Sequence, residues 1–278
     1  MTVTTLAAKP TLSVTEKATF DLPAAEVWAI ISNFGRVEDW HPAVAKTEIR
    51  QGVNNVPGVV RRLTFLDQGT LEEKLTSYEP QHFRLQYVIT AGAFPVSNYS
   101  TTLSVKPGRT ADTSEVTWAG TFSRADLSAS PAPGKGDQAA IDAVTGVYTT
   151  GLHSLKEVVA DQKAITHVIG LYGDGGTLGD SGTVAKAFHP SATMKFVRDA
   201  KLVDEPISAY LENYIKPGVV QDRKVYIDSI SIKGTAASAR LTLDYPTHQF
   251  IDYFNLLKID DQWLIVSKIF SRVSKPAT

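Results

Sequence analysis

Apolar and polar positions change period several times along the chain. Behind Pro23, the residues Val27, Trp28, Ile30 and Ile31 recur at helical spacing, with Asn33 and Gly35 following. This predicts a short amphipathic helix with Trp28 in the core. The surrounding sequence alternates instead. Strands are predicted over residues 15–22, 44–51, 59–66, 70–78, 82–90, 96–106 and 114–124, separated by turn residues such as Asn54-Asn55, Asp67-Gln68-Gly69 and Pro107-Gly108. Residues 128–138, rich in Ser, Ala, Pro and Gly, read as a loop. From residue 139 to about 160 the spacing of Ile141, Val144, Val147, Leu152, Leu155, Val158 and Val159 becomes helical again. A long helix laid across the concave face of such a sheet can leave a cavity between them. Residues 1–11 read as a loose leader.

The second half repeats the theme with fewer, longer strands. Ile165, Val168, Ile169 and Tyr172 extend the helical spacing, with a break expected near Asp161-Gln162. Residues 173–182, GDGGTLGDSG, read as a loop, and the absence of a lysine after the last glycine argues against a phosphate cradle. A short helix over 184–188 and a strand over 193–198 are expected next. Asp199-Ala200-Lys201 reads as a turn, and Pro206 opens a helix carrying Ile207, Tyr210, Leu211 and Tyr214. Strands are predicted over 223–233, 236–245, 249–259 and 263–273. The chain therefore reads as α+β in two domains, 12–160 and 161–278.

Composition narrows the function. The 278 residues are 43% hydrophobic with a net charge of −1, enough for two cores. Lysine plus arginine number 14 in residues 1–160 and 14 in 161–278, against 16 and 13 acidic residues, so no basic face favours nucleic acid. Without cysteine there is no disulfide, thiolate metal site or cysteine nucleophile. No apolar run reaches the ~18 residues of a membrane span, and the N-terminus lacks the basic start of a secretory signal. The expectation is a cytoplasmic protein without a membrane partner. The six histidines are scattered, none four residues from another, so no metal site is expected. Nucleophile-elbow, P-loop and dinucleotide motifs are absent. Proton transfer without any cofactor is the chemistry that remains.

Strand parity marks the inward residues. Arg61, Leu63 and Phe65 share a face, as do Glu73 and Leu75, Tyr87 and Ile89, Tyr99 and Thr101, and Trp118, Gly120 and Phe122. The ordered segments PAAEVWAIISNFGRVEDWHPAV, GVVRRLTF, LEEKLTSYEP, FPVSNYSTTLSV and VTWAGTF resemble the SRPBCC superfamily in its polyketide cyclase/dehydrase-like branch. That resemblance implies a START-like, helix-grip fold: a curved antiparallel sheet around a long C-terminal helix. It also implies that His41, Arg61, Glu73, Tyr87, Tyr99 and Trp118 occupy pocket positions. His41 and Glu73 are then candidate proton carriers, and Arg61, Tyr87, Tyr99, Trp118 and Phe122 candidate substrate contacts. The alternatives are a structural Arg61–Glu73 pair and a His41 that only shapes its turn.

The segments AFHPSATMKFV, AYLENYIKPG and FIDYFNLLKIDDQWLIVSKIFSRV resemble the nuclear transport factor 2-like fold, in its SnoaL-like and lumazine-binding branches. That implies a cone-shaped α+β domain on a curved antiparallel sheet. Candidate cavity groups are His189, Tyr210, Tyr214, Tyr245, His248, Asp252 and Phe254. Asp252, between Ile251 and Tyr253, would suit a general base if it faces the cone, and would be solvated if it faces out. The two resemblances imply a cofactor-independent cyclase, dehydratase, isomerase or lyase acting on a hydrophobic, oxygenated, polyketide-like molecule. The alternative is a carrier or sensor of a hydrophobic ligand. Relatives of the second domain imply a homodimer.

Overall fold

Period-two alternation decides which face of each strand is buried, and in the computed structural model, which describes residues 11–276, it generates two separate sheets. The leader read at 1–11 falls, Thr11 aside, outside the described residues. The chain divides after Val159 into two units.

In the first unit β1 (Leu12–Phe20) is followed by α1 (Ala24–Ile31), then β2 (Val44–Gln51), β3 (Val60–Phe65), β4 (Thr70–Glu79), β5 (Arg84–Gly92), β6 (Val96–Pro107) and β7 (Ser114–Arg124). They form one antiparallel sheet in the order β1-β7-β6-β5-β4-β3-β2. α1 buries Val27, Trp28 and Ile31, as its spacing predicts. β5 starts two residues later than expected, because Pro80–His82 form a single helical turn and Phe83 leaves it in the left-handed region at φ 50°. The helix α2 (Asp137–Leu178) brings Ala140, Val144, Tyr148, Leu152 and Leu155 into this unit's core.

Two expectations for α2 are corrected. No break occurs near Asp161-Gln162. The local residues are mostly good helix formers, and Asp161 is fixed by Lys258 Nζ at 2.9 Å and Trp263 Nε1 at 2.8 Å. Nor is 173–178 a loop; it is the helix's last turns. The glycines there permit close packing. A Cβ on Gly173 would lie 3.0 Å from Val225, and one on Gly175 would lie 2.9 Å from Val184. The helix stops at Gly179, whose φ of +69° suits glycine, while Asp180 N–H bonds Gly175 C=O at 2.8 Å. That pairing is the six-to-one closure of a glycine-terminated helix.

The second unit continues with α3 (Ser181–Ala185), β8 (Phe188–Arg198), β9 (Lys201–Pro206), α4 (Ile207–Asn213), β10 (Lys224–Lys233), β11 (Ala236–Asp244), β12 (His248–Ile259) and β13 (Gln262–Ser274). α3 lies three residues earlier than expected because the Asp180 carboxylate caps it, accepting from Thr183 N–H at 3.0 Å. The sheet order is β10-β11-β12-β13-β8-β9, with β13 and β8 parallel and the other neighbours antiparallel. One irregularity matters for the site. Between Ile265 and Ser267, β13 carries an extra residue, Val266, opposite Asn255 and Leu256 of β12. This bulge reverses the inward parity: Trp263 and Ile265 are buried before it, Lys268 after it, while Ile269 is 52% exposed.

Candidate functional site

The first unit's interior gathers the predicted residues but leaves them little room. Its cavity is about 50 Å³, close to the space of a water molecule or two, and Arg61, Glu73, Tyr87, Tyr99, Trp118 and His41 all line it. The expected ligand-sized hollow is filled by the unit's own side chains. Tyr148 from α2 stacks on Trp118 with ring centroids 4.4 Å apart. Its hydroxyl lies 2.6 Å from Tyr99 and 2.7 Å from Thr101, and burial pushes that phenol up to about 12. Phe122 is buried against Tyr99 and does not line the cavity.

Glu73 is engaged rather than free. Arg61 Nε and its terminal nitrogen lie 2.7 and 2.6 Å from Glu73 Oε2, and the remaining arm donates to Phe34 C=O at 2.7 Å. The guanidinium also sits 3.8 Å over the Phe34 ring. These contacts support the structural-pair alternative.

Both nitrogens of His41 are likewise taken by backbone: Nε2 lies 3.1 Å from Val147 C=O and Nδ1 accepts from Ala43 N–H at 3.3 Å. A neutral ring protonated on Nε2 satisfies both. The imidazole therefore fastens its loop to α2. Burial holds its pKa below the ordinary histidine value; the Val147 carbonyl opposes this and the Arg61 charge adds to it. With the folded pKa depressed, the unfolded chain takes up a proton first as pH falls. Stability should therefore decline from about pH 6.5 downward, by at most about 1.4 kcal/mol per pH unit. Denaturant unfolding read by tryptophan fluorescence should give this acid slope for the wild type and a flatter one for His41→Gln. Equal slopes would mean that His41 titrates normally.

The second unit is different. Its cavity is about 420 Å³, within the usual range of small-molecule sites. β12 turns Asp252 inward, fully buried, from its register position opposite Leu241 and Phe270. Tyr172 of α2 donates to Asp252 Oδ2 at 2.6 Å. Lys268, only 4% exposed, places Nζ 3.1 Å from Oδ1, yet Oδ1 accepts no aligned hydrogen bond. Nζ also donates to Met194 Sδ at 4.0 Å and lies among rings, Phe270 at 4.3 Å, Tyr172 at 5.5 Å and Tyr210 at 5.6 Å. Burial draws the Lys268 amine below the usual lysine value, and Asp252 pulls it back up. Burial raises the Tyr172 phenol well above its ordinary value, with Asp252 adding to the effect, and pushes Tyr210 up to about 12. The result is a carboxyl group and an amine side by side in the cavity wall, flanked by phenols whose ionisation burial opposes.

Of the candidates named from the sequence, Tyr210, Tyr214, Tyr245 and Asp252 line this cavity. Three other candidates do not. His189 is the second residue of β8 and is bound to Ser191 Oγ at 2.7 Å on the same strand. His248 stacks on Tyr245 and meets Thr247 Oγ1 at 3.0 Å. Phe254 packs behind the cavity, edge-on to Tyr172 at 5.0 Å. The reading missed Tyr172, Arg223 and Lys268. Among the described residues no group of three potential metal ligands occurs, and no helix is long and apolar enough to cross a membrane.

Residues 11–160 match the family model described as "Polyketide cyclase / dehydrase and lipid transport", and residues 160–271 match the one described as "Putative lumazine-binding". No curated protein matches the chain. Among solved structures, the protein XoxI from Bacillus cereus is 30% identical over 54% of this chain and 97% of its own, with a TM-score of 0.48. An NTF2-like protein of unknown function from Shewanella baltica OS155 is 37% identical over 43% of this chain and 97% of its own, with a TM-score of 0.38. A third, an NTF2-like protein of unknown function from Methylobacillus flagellatus KT, is 31% identical over 41% and 93%, with a TM-score of 0.38. Both family descriptions name small molecules, polyketides and lipids in the first and lumazine in the second. With more than half its length matched, the chain belongs to the polyketide cyclase/dehydrase and lipid transport family, here in a fusion of an SRPBCC helix-grip unit with a nuclear transport factor 2-like unit.

Proposed function

We propose that the second unit is the working chamber, and that it moves a proton on a hydrophobic, oxygenated, polyketide-like molecule without a cofactor. Asp252 is the base: Oδ1 takes a proton from a carbon next to a carbonyl group. Lys268, 3.1 Å from that oxygen, stabilises the enolate that forms. Tyr172 holds the other carboxylate oxygen and fixes the group's orientation. Return of the proton at another carbon gives an isomerisation; attack of the enolate on a second carbonyl gives a cyclisation. The observation that carries this reading is the buried Asp252–Lys268 pair in the wall of a ligand-sized cavity. A plain carrier would be served by an apolar lining, which this is not. The first unit acts as a structural partner in this reading, its polar groups bound to one another. The outer face of the second sheet exposes Tyr226, Tyr253 and Ile269, which supports pairing with a second copy of the chain.

The test needs no knowledge of the natural substrate. The protein is incubated with 2-tetralone in deuterium oxide, and loss of the protons next to the carbonyl is followed by NMR. Wild type should accelerate the exchange and Asp252→Asn should not. Exchange that depends on Glu73 instead would move the chemistry to the first unit and overturn the reading.

A further inference from the structure

Resting on that reading, the geometry points to a substrate that carries a carboxylate, held by arginines in the cavity wall. The cavity's charged lining consists of Arg198, Arg223, Arg272 and Lys268 against the single carboxylate of Asp252. That carboxylate is already matched by Lys268, so the three guanidinium charges remain. None of the three has an ion pair among the described residues. Arg223 is half-buried and bonds only neutral acceptors, Thr177 Oγ1 at 3.0 Å, Tyr245 OH at 2.8 Å and Gly173 C=O at 3.1 Å, which leaves two of its five N–H donors without a partner among the described residues. Arg198 bonds the Tyr214 hydroxyl at 3.0 Å, with Glu205 and Asp199 contributing to its field from outside the cavity. The Arg272 side chain is exposed and, among the described residues, makes no hydrogen bond or salt bridge. Most other arginines are matched: Arg36, Arg61, Arg62, Arg124 and Arg240 each meet a carboxylate within 3.0 Å and Arg84 meets one at 3.5 Å.

The chain balances 28 basic against 29 acidic residues, so three guanidinium groups without an ion pair around one aromatic hollow are a local arrangement, not an excess of base. Guanidinium forks match a planar carboxylate two bonds at a time. The rings of Phe196, Tyr210, Tyr245, Phe250 and Phe270 suit a flat apolar body. The carboxylate then sits among the arginines while the carbonyl reaches Lys268 and Asp252.

The experiment is calorimetric titration of the full chain with 2-naphthoate and with its neutral counterpart, 2-naphthalenemethanol. The naphthoate should bind at least about 10-fold more tightly, the scale of hydrogen bonds to charged groups. Arg272→Gln and Arg223→Gln should each reduce that preference several-fold and leave the alcohol's affinity unchanged. Arg272 is exposed and unbonded, so its variant keeps the test valid if Arg223→Gln fails to fold. Equal affinity for the two compounds, or a preference that survives both changes, overturns the carboxylate assignment and leaves the proton-transfer reading standing. Binding of neither compound overturns the assignment too. If 2-tetralone exchange is also absent, the proposed function falls with it.

Discussion

Asp252→Asn should slow the exchange of 2-tetralone's protons by about 10²-fold or more, the usual contribution of a positioned general base. The amide keeps the carboxylate's shape and can still accept from Tyr172, so the loss reports basicity and not a vacated volume. It also leaves Lys268 as a buried ammonium without its counter-charge. Removing one partner of a buried pair typically costs about 3–5 kcal/mol. Folding of the variant is therefore checked by thermal melting before its rate is read. The double variant Asp252→Asn/Lys268→Met removes both charges and should regain much of that stability while remaining inactive. Glu73→Gln is the control. Its carboxylate lines a cavity of about 50 Å³ that cannot admit a two-ring ketone, so exchange should stay within about twofold of wild type. An Asp252→Asn protein that is folded and as fast as wild type would remove the base from the mechanism.

Arg61→Met should destabilise the first unit by about 3–5 kcal/mol, because it leaves Glu73 as a buried carboxylate with its partner gone. The change also removes the donor to Phe34 C=O and the guanidinium stacked on the Phe34 ring. Replacing both partners, as in Arg61→Met/Glu73→Leu, should recover most of the loss, since a buried ion pair is often no better than apolar residues of similar volume. Trp28, Trp40 and Trp118 all belong to the first unit, so denaturant unfolding followed by fluorescence reads mainly this core. A single-variant loss below about 1 kcal/mol would place the pair in the range of solvated surface bridges.

Much of the first unit was legible because strand parity needs only counting. Arg61, Glu73, Tyr87, Tyr99 and Trp118 all face inward where a period of two puts them. What parity cannot supply is volume. Whether inward side chains surround a hollow or meet across it depends on long-range packing, and Tyr148, read only as part of a helical stretch, fills the middle. His41 shows the same limit: its role is decided by Val147, more than a hundred residues away. In the second unit the sequence left open whether Asp252 faces the cone or the solvent, and its register opposite Leu241 and Phe270 turns it inward. Lys268 was not legible, because the extra residue at Val266 shifts the phase, and a regular strand through Trp263 and Ile265 would have turned that lysine outward. The adjoining Ile269, in phase with Trp263 and Ile265 along the sequence, conceals the shift and is left exposed by it. Glycines 173–176 misled because their use as contact points depends on Val225 and Val184, which no local window includes.

The extra residue in β13 makes the chamber's chemistry sensitive to length as well as identity. Deleting Val266 would leave every side chain in place by name yet turn the strand beyond it over, presenting Ile269, Ser271 and Val273 to the hollow and sending Lys268 and Arg272 to the outside. The product would be a greasy vessel with a stranded acid, better suited to storage than to reaction. Under the proposed function, a single codon gained or lost at this spot separates a container from a catalyst, and related chains aligned without a gap there would be compared inside to outside.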